Sequence, residues 1–287
     1  MQDLYENYKK LLFKLAYQLL GSVSDAEDAV QDVFLKLYDV SPDKLSEPKS
    51  YLCKMVTNRC RDIQKSARKK REQYFGEWLP EPLYYAEDNS MDSVELDDQL
   101  SYGMLVLLEK LTPTERVVFV LREALFFEYP EIAELVEKSE ANCRKLFSRA
   151  KAKMGINPEE QIHPDAASQE LTHKFINALK NGNLNQVVSM LDQNVVLVTD
   201  GGGKVTAAVN PIKSSDHVTK FLFGAIRKAS MVEGISHIEI NQINGQPALI
   251  LRSTEGIHTV GMLHIENNLI HNIYIVRNPD KLKHLEQ

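Results

Sequence analysis

The sequence predicts a multidomain protein: two all-α domains, the second a helix-turn-helix, followed by an α+β domain. Three observations support this prediction. The chain has 287 residues, about twice the usual length of one domain. Apolar residues recur at helical spacing through the first half, whereas the last third is rich in strand patterns. A stretch with two prolines and an acidic run separates the two helical blocks.

The composition limits the class of protein. Hydrophobic residues make up 43% and charged residues 26%, as in ordinary soluble globular proteins. Because no stretch approaches the roughly 20 apolar residues of a membrane span, and no secretory signal is visible, we expect a cytoplasmic protein without a membrane partner. The three cysteines are too few for a disulfide framework and poorly spaced for zinc. We therefore expect buried thiols, no metal and no cofactor.

The charge is distributed unevenly along the chain, although the net charge is −6. Residues 49–75 contain nine Lys and Arg against two acids, and residues 138–153 contain six against one. Residues 81–98, in contrast, contain seven acids and no Lys or Arg. Two local basic stripes matter more to a polyanion than the sum over the chain, so they predict nucleic-acid binding.

The first block, residues 1–71, is predicted to be helical. Apolar residues from Ala26 onward follow an amphipathic pattern, with Ser24 or Asp25 as the expected N-cap. The polar face of this helix carries three acids and an amide: Asp25, Asp28, Gln31 and Asp32. Such a face is either a binding surface or simply solvated.

A second helix is predicted after Pro48, and one of its faces is basic. Lys54, Asn58, Arg61, Lys65 and Arg68 recur at steps of four and three residues. A solvated helix usually mixes the two signs of charge for pairing along its surface. The scarcity of acids here favours phosphate binding, with a plain solvated face as the alternative.

A linker, residues 72–102, follows and contains Trp78-Leu79-Pro80-Glu81-Pro82. The two prolines impose an extended backbone and exclude a helix. Trp78 is the only tryptophan, and its large apolar surface would gain by entering a pocket. We expect it to dock on another part of the chain; the alternative is a disordered tether.

The second block, residues 103–157, has a strong helix start at Thr112-Pro113, with Glu115 three residues after the cap. A short helix from Pro130 and a longer one after Ser139 form a predicted helix-turn-helix. The longer helix leaves a polar, basic face outward, with the size and chemistry to enter a DNA major groove: Arg144, Lys145, Ser148, Arg149 and Lys151. An ordinary helical hairpin is the alternative.

The third block, residues 164–287, begins as helices and continues as strands. The pairs Asn244-Gly245 and Asn267-Asn268 are typical of hairpin turns. We expect a curved antiparallel sheet with helices on one face.

A glycine loop, Asp200-Gly201-Gly202-Gly203-Lys204, interrupts the third block. Asp200 could be a catalytic base, and the loop could form an anion-binding nest. Because spacing pairs no acid, base and orienting group, we expect no catalytic residues and no enzyme. The simpler interpretation is a tight turn that another part of the backbone approaches closely.

Several of these segments together resemble a known family. Residues 25–34 resemble the core-binding helix of domain 2 of sigma-70-type RNA polymerase sigma factors, and residues 51–71 resemble the adjoining helix that contacts the −10 promoter element. Residues 111–116, 131–133 and 144–151 resemble domain 4, whose helix-turn-helix contacts the −35 element. The third block is similar to SnoaL-like domains of the nuclear-transport-factor-2 (NTF2) superfamily. Three motifs resemble the extracytoplasmic-function (ECF) subgroup with a fused SnoaL-like domain: residues 78–82, residues 200–204, and Asn278-Pro279-Asp280-Lys281-Leu282.

The resemblance implies a sigma factor that binds core RNA polymerase and promoter DNA and is controlled by its own C-terminal domain, without a separate anti-sigma factor. It assigns the acidic face to the polymerase, and it assigns four residues to the −35 element: Arg144, Lys145, Ser148 and Arg149. Residues 42–49 would capture a flipped base. The −10 candidates are Asn58, Arg59, Arg61, Asp62, Lys65 and Arg68. Tyr51 departs from the family, which commonly has Trp there.

The three motifs are the expected regulatory contacts: the linker would dock near the Asp200 loop and the tail after Asn278. Two alternatives stay open at this point. One is a DNA-binding regulator that works without polymerase; the other is an enzyme or small-molecule sensor in the third domain.

Overall fold

The computed structural model describes residues 2–38, 40, 47–84, 100–156, 166–232 and 235–286, with side chains left out at 67–72, 166, 230–232 and 235–236. The chain forms two compact units. Unit 1 comprises Met1–Glu72 and Leu105–Ile162, and unit 2 comprises Gln73–Met104 and His163–Gln287. Unit 1 therefore contains the two helical blocks, and unit 2 joins the linker to the third block.

The first half of unit 1 consists of helices α1 (Gln2–Leu20), α2 (Val23–Leu37) and α3 (Pro48–Glu72). Leu15, Val30 and Val56, one from each helix, are among its fully or almost fully buried core residues. The predicted N-cap of α2 is wrong, because Ser22 caps this helix and accepts a hydrogen bond from the Asp25 amide. Gly21, at φ 68°, turns the chain after α1 and brings Ser22 to the cap.

The second helical block consists of helices α4 (Tyr102–Leu108), α5 (Pro113–Glu123), α6 (Tyr129–Val136) and α7 (Glu140–Met154). The first three residues of α4 belong to unit 2 and the rest of the block to unit 1. The predicted start of α5 is confirmed: Thr112 and Glu115 form a capping box. The predicted cap of α7 is also confirmed, since Ser139 accepts a hydrogen bond from the Asn142 amide. Helix α7 ends at Gly155 in the left-handed conformation.

Unit 2 contains helices α8 (Ala166–Lys180), α9 (Leu184–Met190) and α10 (Ser215–Val232). Its strands are β1 (Leu191–Asp200), β2 (Ile212–Lys213), β3 (Ile235–Ile243), β4 (Gln246–Ser253), β5 (Gly256–Glu266) and β6 (Leu269–Val276). The three helices share a hydrophobic core with β1, β5 and β6, which includes Phe175, Val187, Val218 and Ile273. The expected α+β layering, with helices covering the sheet, is present.

The expectation of a wholly antiparallel sheet is wrong. The strand order is β2-β1-β6-β5-β4-β3, and β1 pairs with β6 in parallel. Helix α10 carries the chain from β2 at one edge to β3 at the other, and three reversals then return it to β1. Strands β1 and β6 therefore run in the same direction, and Asp200 at the end of β1 lies opposite Val276 at the end of β6.

The predicted hairpin turns are confirmed. Asn244 and Gly245 have φ values of 52° and 69°, and Asn267 and Asn268 have 49° and 59°. Two consecutive residues with positive φ match the right-handed twist of the flanking strands, and Asn and Gly tolerate that conformation best. After β6 the chain ends in two 3₁₀ turns, Pro279–Lys281 and Lys283–Glu286.

The three cysteines are buried and free. Burial raises the pKa of Cys53 to about 12 and also raises the pKa of Cys60 and Cys143, so all three stay protonated thiols at neutral pH. None of the helices in the described part of the chain combines the length and hydropathy that a membrane crossing requires.

Candidate nucleic-acid interface and linker groove

The acidic face of α2 is partly open to solvent. Asp28 and Gln31 are exposed, whereas Asp25 and Asp32 are half-buried. Asp32 Oδ2 lies 2.7 Å from Arg59 Nε on α3. A predicted polymerase-binding residue and a predicted DNA-binding residue are therefore paired with each other in this structure.

The basic face of α3 carries the −10 candidates. Asn58, Asp62 and Lys65 are exposed, and Arg59 and Arg61 are partly covered. Lys65 donates a 3.0 Å hydrogen bond to Asp62, and this bond lowers the pKa of the Asp62 carboxyl. Arg68 lies on the same helix, but its side chain is outside the described set, as are residues 41–46 of the loop expected to capture a base.

Helices α6 and α7 form the helix-turn-helix. The residues of α7 that face inward, among them Cys143, Leu146 and Ala150, are buried. The four −35 candidates, Arg144, Lys145, Ser148 and Arg149, are exposed. Arg144 also lies 4.2 Å from the centre of the Tyr129 ring, which orients its guanidinium. A helix whose inner face is buried and whose outer face is basic and exposed has the form that enters a DNA major groove.

Within unit 1, helices α5 and α6 pack against α1 and α3 of the first block. Lys54 Nζ on α3 lies 2.7 Å from Glu137, the residue that ends α6. The Leu19 carbonyl, at the end of α1, accepts hydrogen bonds from Gln64 at 2.7 Å and from Arg116 on α5 at 2.9 Å. The turn of the helix-turn-helix thus places a carboxylate on the basic face of α3.

In unit 2 the linker meets the loop after β1, and Asp200 is at the centre of the contact. Asp200 is fully buried. Its carboxylate accepts hydrogen bonds from Tyr74 Oη at 2.7 Å, the Leu79 amide at 2.9 Å, the Gly202 amide at 3.0 Å and Lys281 Nζ at 2.7 Å. Four donors from three separate segments therefore converge on one carboxylate.

Two aromatic rings of the linker cover the ammonium group of Lys281. Its Nζ lies 4.2 Å from the centre of the Trp78 ring and 5.0 Å from that of Tyr74. Burial, followed by the hydrogen bond to Asp200, raises the pKa of the Tyr74 phenol, which keeps it protonated as a donor. Trp78 is docked on this domain by a cation–π contact.

At each glycine of the loop, a close contact or a positive φ disfavours any larger residue. A Cβ at Gly201 would lie 2.6 Å from the Val205 carbonyl oxygen, and one at Gly202 would lie 2.3 Å from Asn278 Nδ2. Gly202 and Gly203 also have positive φ, at 59° and 72°. The loop is therefore a tight turn with close approaches from other segments, as expected from the sequence.

The tail after β6 completes the contact. Asn278 Nδ2 donates to Tyr74 Oη at 2.8 Å, and Asp280 forms an ion pair with Lys204. Leu282 is buried, whereas Pro279 is exposed. The three motifs found in the sequence thus meet at one place in unit 2.

The remainder of the linker runs along the same domain. Pro80 and Pro82 are buried and Glu81 is half-buried. The Pro80 carbonyl accepts a hydrogen bond from Tyr102 at 2.6 Å, and the Pro82 carbonyl accepts one from His284 at 2.6 Å. We call the surface that holds Tyr74 and residues 78–84 the linker groove.

Sequence reasoning missed four residues of this contact: Tyr74, which the linker groove holds, and Tyr102, Asn244 and His284, which line it. The sequence predicts only a turn at Asn244, yet its side chain accepts a hydrogen bond from the Leu83 amide at 3.0 Å and its amide donates to the Leu83 carbonyl at 2.8 Å. The local signal for Tyr74 is its position four residues before Trp78 in the sequence.

The geometry limits the chemistry of this region. With all four donors in place, Asp200 has no lone pair directed at a substrate, and the Gly202 amide already binds that carboxylate rather than an outside anion. The cleft beside the loop, lined by Phe75, Gly203 and Val209 among others, has a volume of about 110 Å³. Among the described residues, no three His, Cys, Asp or Glu side chains are grouped to hold a metal ion.

Comparisons with known proteins agree with this architecture. The family model described as Sigma-70 region 2 matches residues 4–71, and Sigma-70, region 4 matches residues 104–154. The ECF RNA polymerase sigma factor SigJ of Mycobacterium tuberculosis is 29% identical, over 96% of this chain and 91% of that protein. A probable ECF sigma factor SigI of the same species is 28% identical, over 96% of this chain and 92% of that protein.

The solved structures include a similar chain of nearly the same extent. The crystal structure of M. tuberculosis extracytoplasmic function sigma factor SigJ matches with a TM-score of 0.78 at 27% identity, over 99% of this chain and 98% of that one. The match extends beyond the two helical regions, so it includes the domain that holds the linker. The chain belongs to the ECF group of sigma-70-type RNA polymerase sigma factors, the proteins that direct core polymerase to promoters, and it carries an α+β domain behind region 4.

Proposed function

We propose that the α+β domain of this sigma factor controls promoter-directed transcription by holding the linker between region 2 and region 4. The observation that carries this proposal is the buried carboxylate of Asp200, which binds linker residues Tyr74 and Leu79 and tail residue Lys281 at once. Because the linker connects the two DNA-contacting regions, a docked linker restricts the separations that they can adopt.

The strength of this restraint follows from tethering. Linker and groove belong to one chain, so their effective concentration is of the order of millimolar, and weak contacts suffice. A separate anti-sigma factor is then unnecessary for this form of control. The same arrangement argues against catalysis by Asp200, since its carboxylate already accepts hydrogen bonds from the linker.

The initiation machinery itself is assigned to unit 1. We propose that Asp28 and Gln31 face the polymerase, because both are exposed on the acidic side of α2. Charges at the rim of an interface set register and association rate more than affinity. Lys65 and Arg68 on α3 would contact phosphates of the −10 region, and Lys145 and Arg149 on α7 would enter the groove at −35.

In-vitro transcription with core polymerase tests the proposal, on a promoter selected from a random library by the wild-type holoenzyme. Trp78→Ala removes the ring over Lys281, and we expect it to change transcript yield severalfold. Leu184→Ala is the matched control, since Leu184 is a large apolar side chain exposed on α9. Unchanged transcription by Trp78→Ala would rule out control through the linker.

The DNA contacts have an independent test. Charge reversal of Lys65 and Arg68 should weaken promoter opening, and wild-type binding should fall steeply as salt rises, because phosphate contacts release counterions. A flat salt response would exclude phosphate contacts on α3. If core polymerase fails to bind the protein in a pull-down, the protein acts on DNA without polymerase and the assignment of α2 is wrong.

A further inference from the structure

The linker groove recognises the main chain of its occupant at several successive positions. The Leu79 amide donates to Asp200 at 2.9 Å, and the Leu79 carbonyl accepts from Lys281 at 2.5 Å. The Leu83 amide and carbonyl both pair with Asn244, at 3.0 and 2.8 Å. Beyond them, Tyr84 forms a β-bridge with Ile243 at the edge strand. Extended peptides are bound in this way when they extend a sheet.

The groove also selects side chains. Leu79 and Leu83 are 1% and 8% exposed, so each fills a pocket. Pro80 and Pro82 are buried, and each offers a carbonyl but no amide; Tyr102 and His284 donate to those carbonyls. Proline also restricts the free peptide to extended conformations, which reduces the entropy lost on binding. The preferred pattern is aromatic-Leu-Pro-x-Pro-Leu.

Departure of the linker would open the groove to water. Asp200 and Lys281 are 0% and 7% exposed at their side chains with the linker bound, so the linker shields this ion pair from solvent and supplies hydrogen bonds to both groups. A chain that restores these hydrogen bonds and also buries apolar side chains binds more favourably than water does. The groove therefore favours occupancy by a peptide of the right pattern, whatever its source.

We propose that the linker groove is a peptide-binding site, and that its external ligand is an extended aromatic-Leu-Pro-x-Pro-Leu segment of another protein, which displaces the linker. This inference rests on the proposed control through the linker and supplies the class of molecule that would release it. The tethered linker competes with any such segment, so a partner succeeds only when it is abundant or makes additional contacts.

A direct binding measurement tests the site. In the full-length chain, Leu79→Ser with Pro80→Gly and Pro82→Gly removes the linker's own fit and leaves the groove lining unchanged. A fluorescein-labelled peptide of residues 73–84 should bind this variant at least tenfold more tightly than it binds the wild type, by fluorescence anisotropy. Adding Asp200→Asn to the variant should weaken binding at least tenfold. Equal binding of the peptide and a scrambled control overturns the proposal.

A second measurement uses the wild-type chain and does not depend on the folding of that variant. Trp78 is the only tryptophan, so its emission reports on linker docking. A peptide of residues 73–84 with Phe in place of Trp, added at millimolar concentration, should shift that emission to the red. No shift overturns the proposal.

The alternative occupant of the linker groove is the linker of a second copy of this chain. A concentration-dependent dimer that the peptide dissociates, seen by analytical ultracentrifugation, would assign the groove to the linker of a partner copy and overturn the proposal of a different protein.

Transcription by Trp78→Ala is measured separately and tests the proposed function. If that variant changes transcript yield while no peptide binds, control through the linker stands and the external ligand is wrong.

Discussion

The carboxylate of Asp200 and the ammonium group of Lys281 lie 2.7 Å apart, and both are almost completely shielded from water. Each also binds the main chain of Leu79, one through the amide and the other through the carbonyl. The ion pair is thus part of the linker groove as well as of the domain's interior. Its energetics decide whether the linker stays bound.

Asp200→Asn should destabilise unit 2 by about 3–5 kcal/mol, because it leaves the Lys281 ammonium buried without a counter-charge. The double variant Asp200→Asn/Lys281→Met should recover much of that loss. Urea unfolding followed by Trp78 emission measures both. Asp216→Asn is the control, since its 2.6 Å ion pair with Lys220 is exposed. Equal effects of the two Asp→Asn changes would contradict the role given to the buried pair.

Gly202→Ala should release the linker. The added Cβ would lie 2.3 Å from Asn278 Nδ2, at a backbone φ of 59°. The left-handed conformation alone costs an L-residue about 1–2 kcal/mol. We expect a red shift of Trp78 emission and a lower melting temperature. Gly224→Ala is the matched control, because nothing lies within 4 Å of its Cβ. A Gly202→Ala protein with wild-type emission would show that the close approach is not needed.

Phe126 in the α5–α6 turn should prefer glycine to alanine. It has φ 54° although it is neither Gly nor Asn, and its side chain is 55% exposed. Phe126→Gly should therefore be more stable than Phe126→Ala by about 1 kcal/mol. Leu35, exposed on α2, should show the opposite order, because alanine is favoured within helices. Thermal unfolding of the four variants measures both pairs; the same order at both positions would exclude strain at Phe126.

Glu115 should make the stability of unit 1 depend on pH. Burial alone would raise its pKa, but hydrogen bonds from Lys153 and Thr112 outweigh burial and hold the pKa below its usual 4.5. A lowered pKa in the folded state means stabilisation that is complete above pH 4.5 and lost as the pH falls through the lowered value. Glu115→Gln should cost about 1–3 kcal/mol at pH 7 and progressively less below pH 4.5. A difference that is constant between pH 7 and pH 3, in thermal unfolding, would contradict this.

Glu137→Gln should strengthen binding to a random-sequence DNA duplex about two- to fivefold, because it removes the carboxylate that pairs with Lys54 on the basic face of α3. Glu134→Gln on the same helix removes one exposed negative charge elsewhere and serves as the control. Anisotropy titrations at several salt concentrations measure both. If the two variants bind equally, general charge and not the Lys54 contact explains the gain.

Features that depend on residues close together in the chain follow from the sequence alone. Thr112 and Glu115 form a capping box, Asn244-Gly245 turns a hairpin, and Cys143 and Leu146 face inward on the helix-turn-helix, because each needs partners only a few residues away. The resemblance to ECF sigma factors also rested on such local patterns. It identified the three motifs of the linker groove, but not the geometry that joins them.

That geometry depends on contacts between segments that lie far apart in the sequence. The sequence suggested an antiparallel sheet, yet β1 and β6 run parallel, so Asp200 and Val276 end side by side and the glycine loop and the tail leave from the same edge. Tyr102 and Asn244 join them from parts of the chain that lie far from the three motifs, and no local spacing encodes these contacts. From the sequence, a catalytic base at Asp200 stays open as an alternative to a tight turn, and the fold supplies the four donors that occupy its carboxylate.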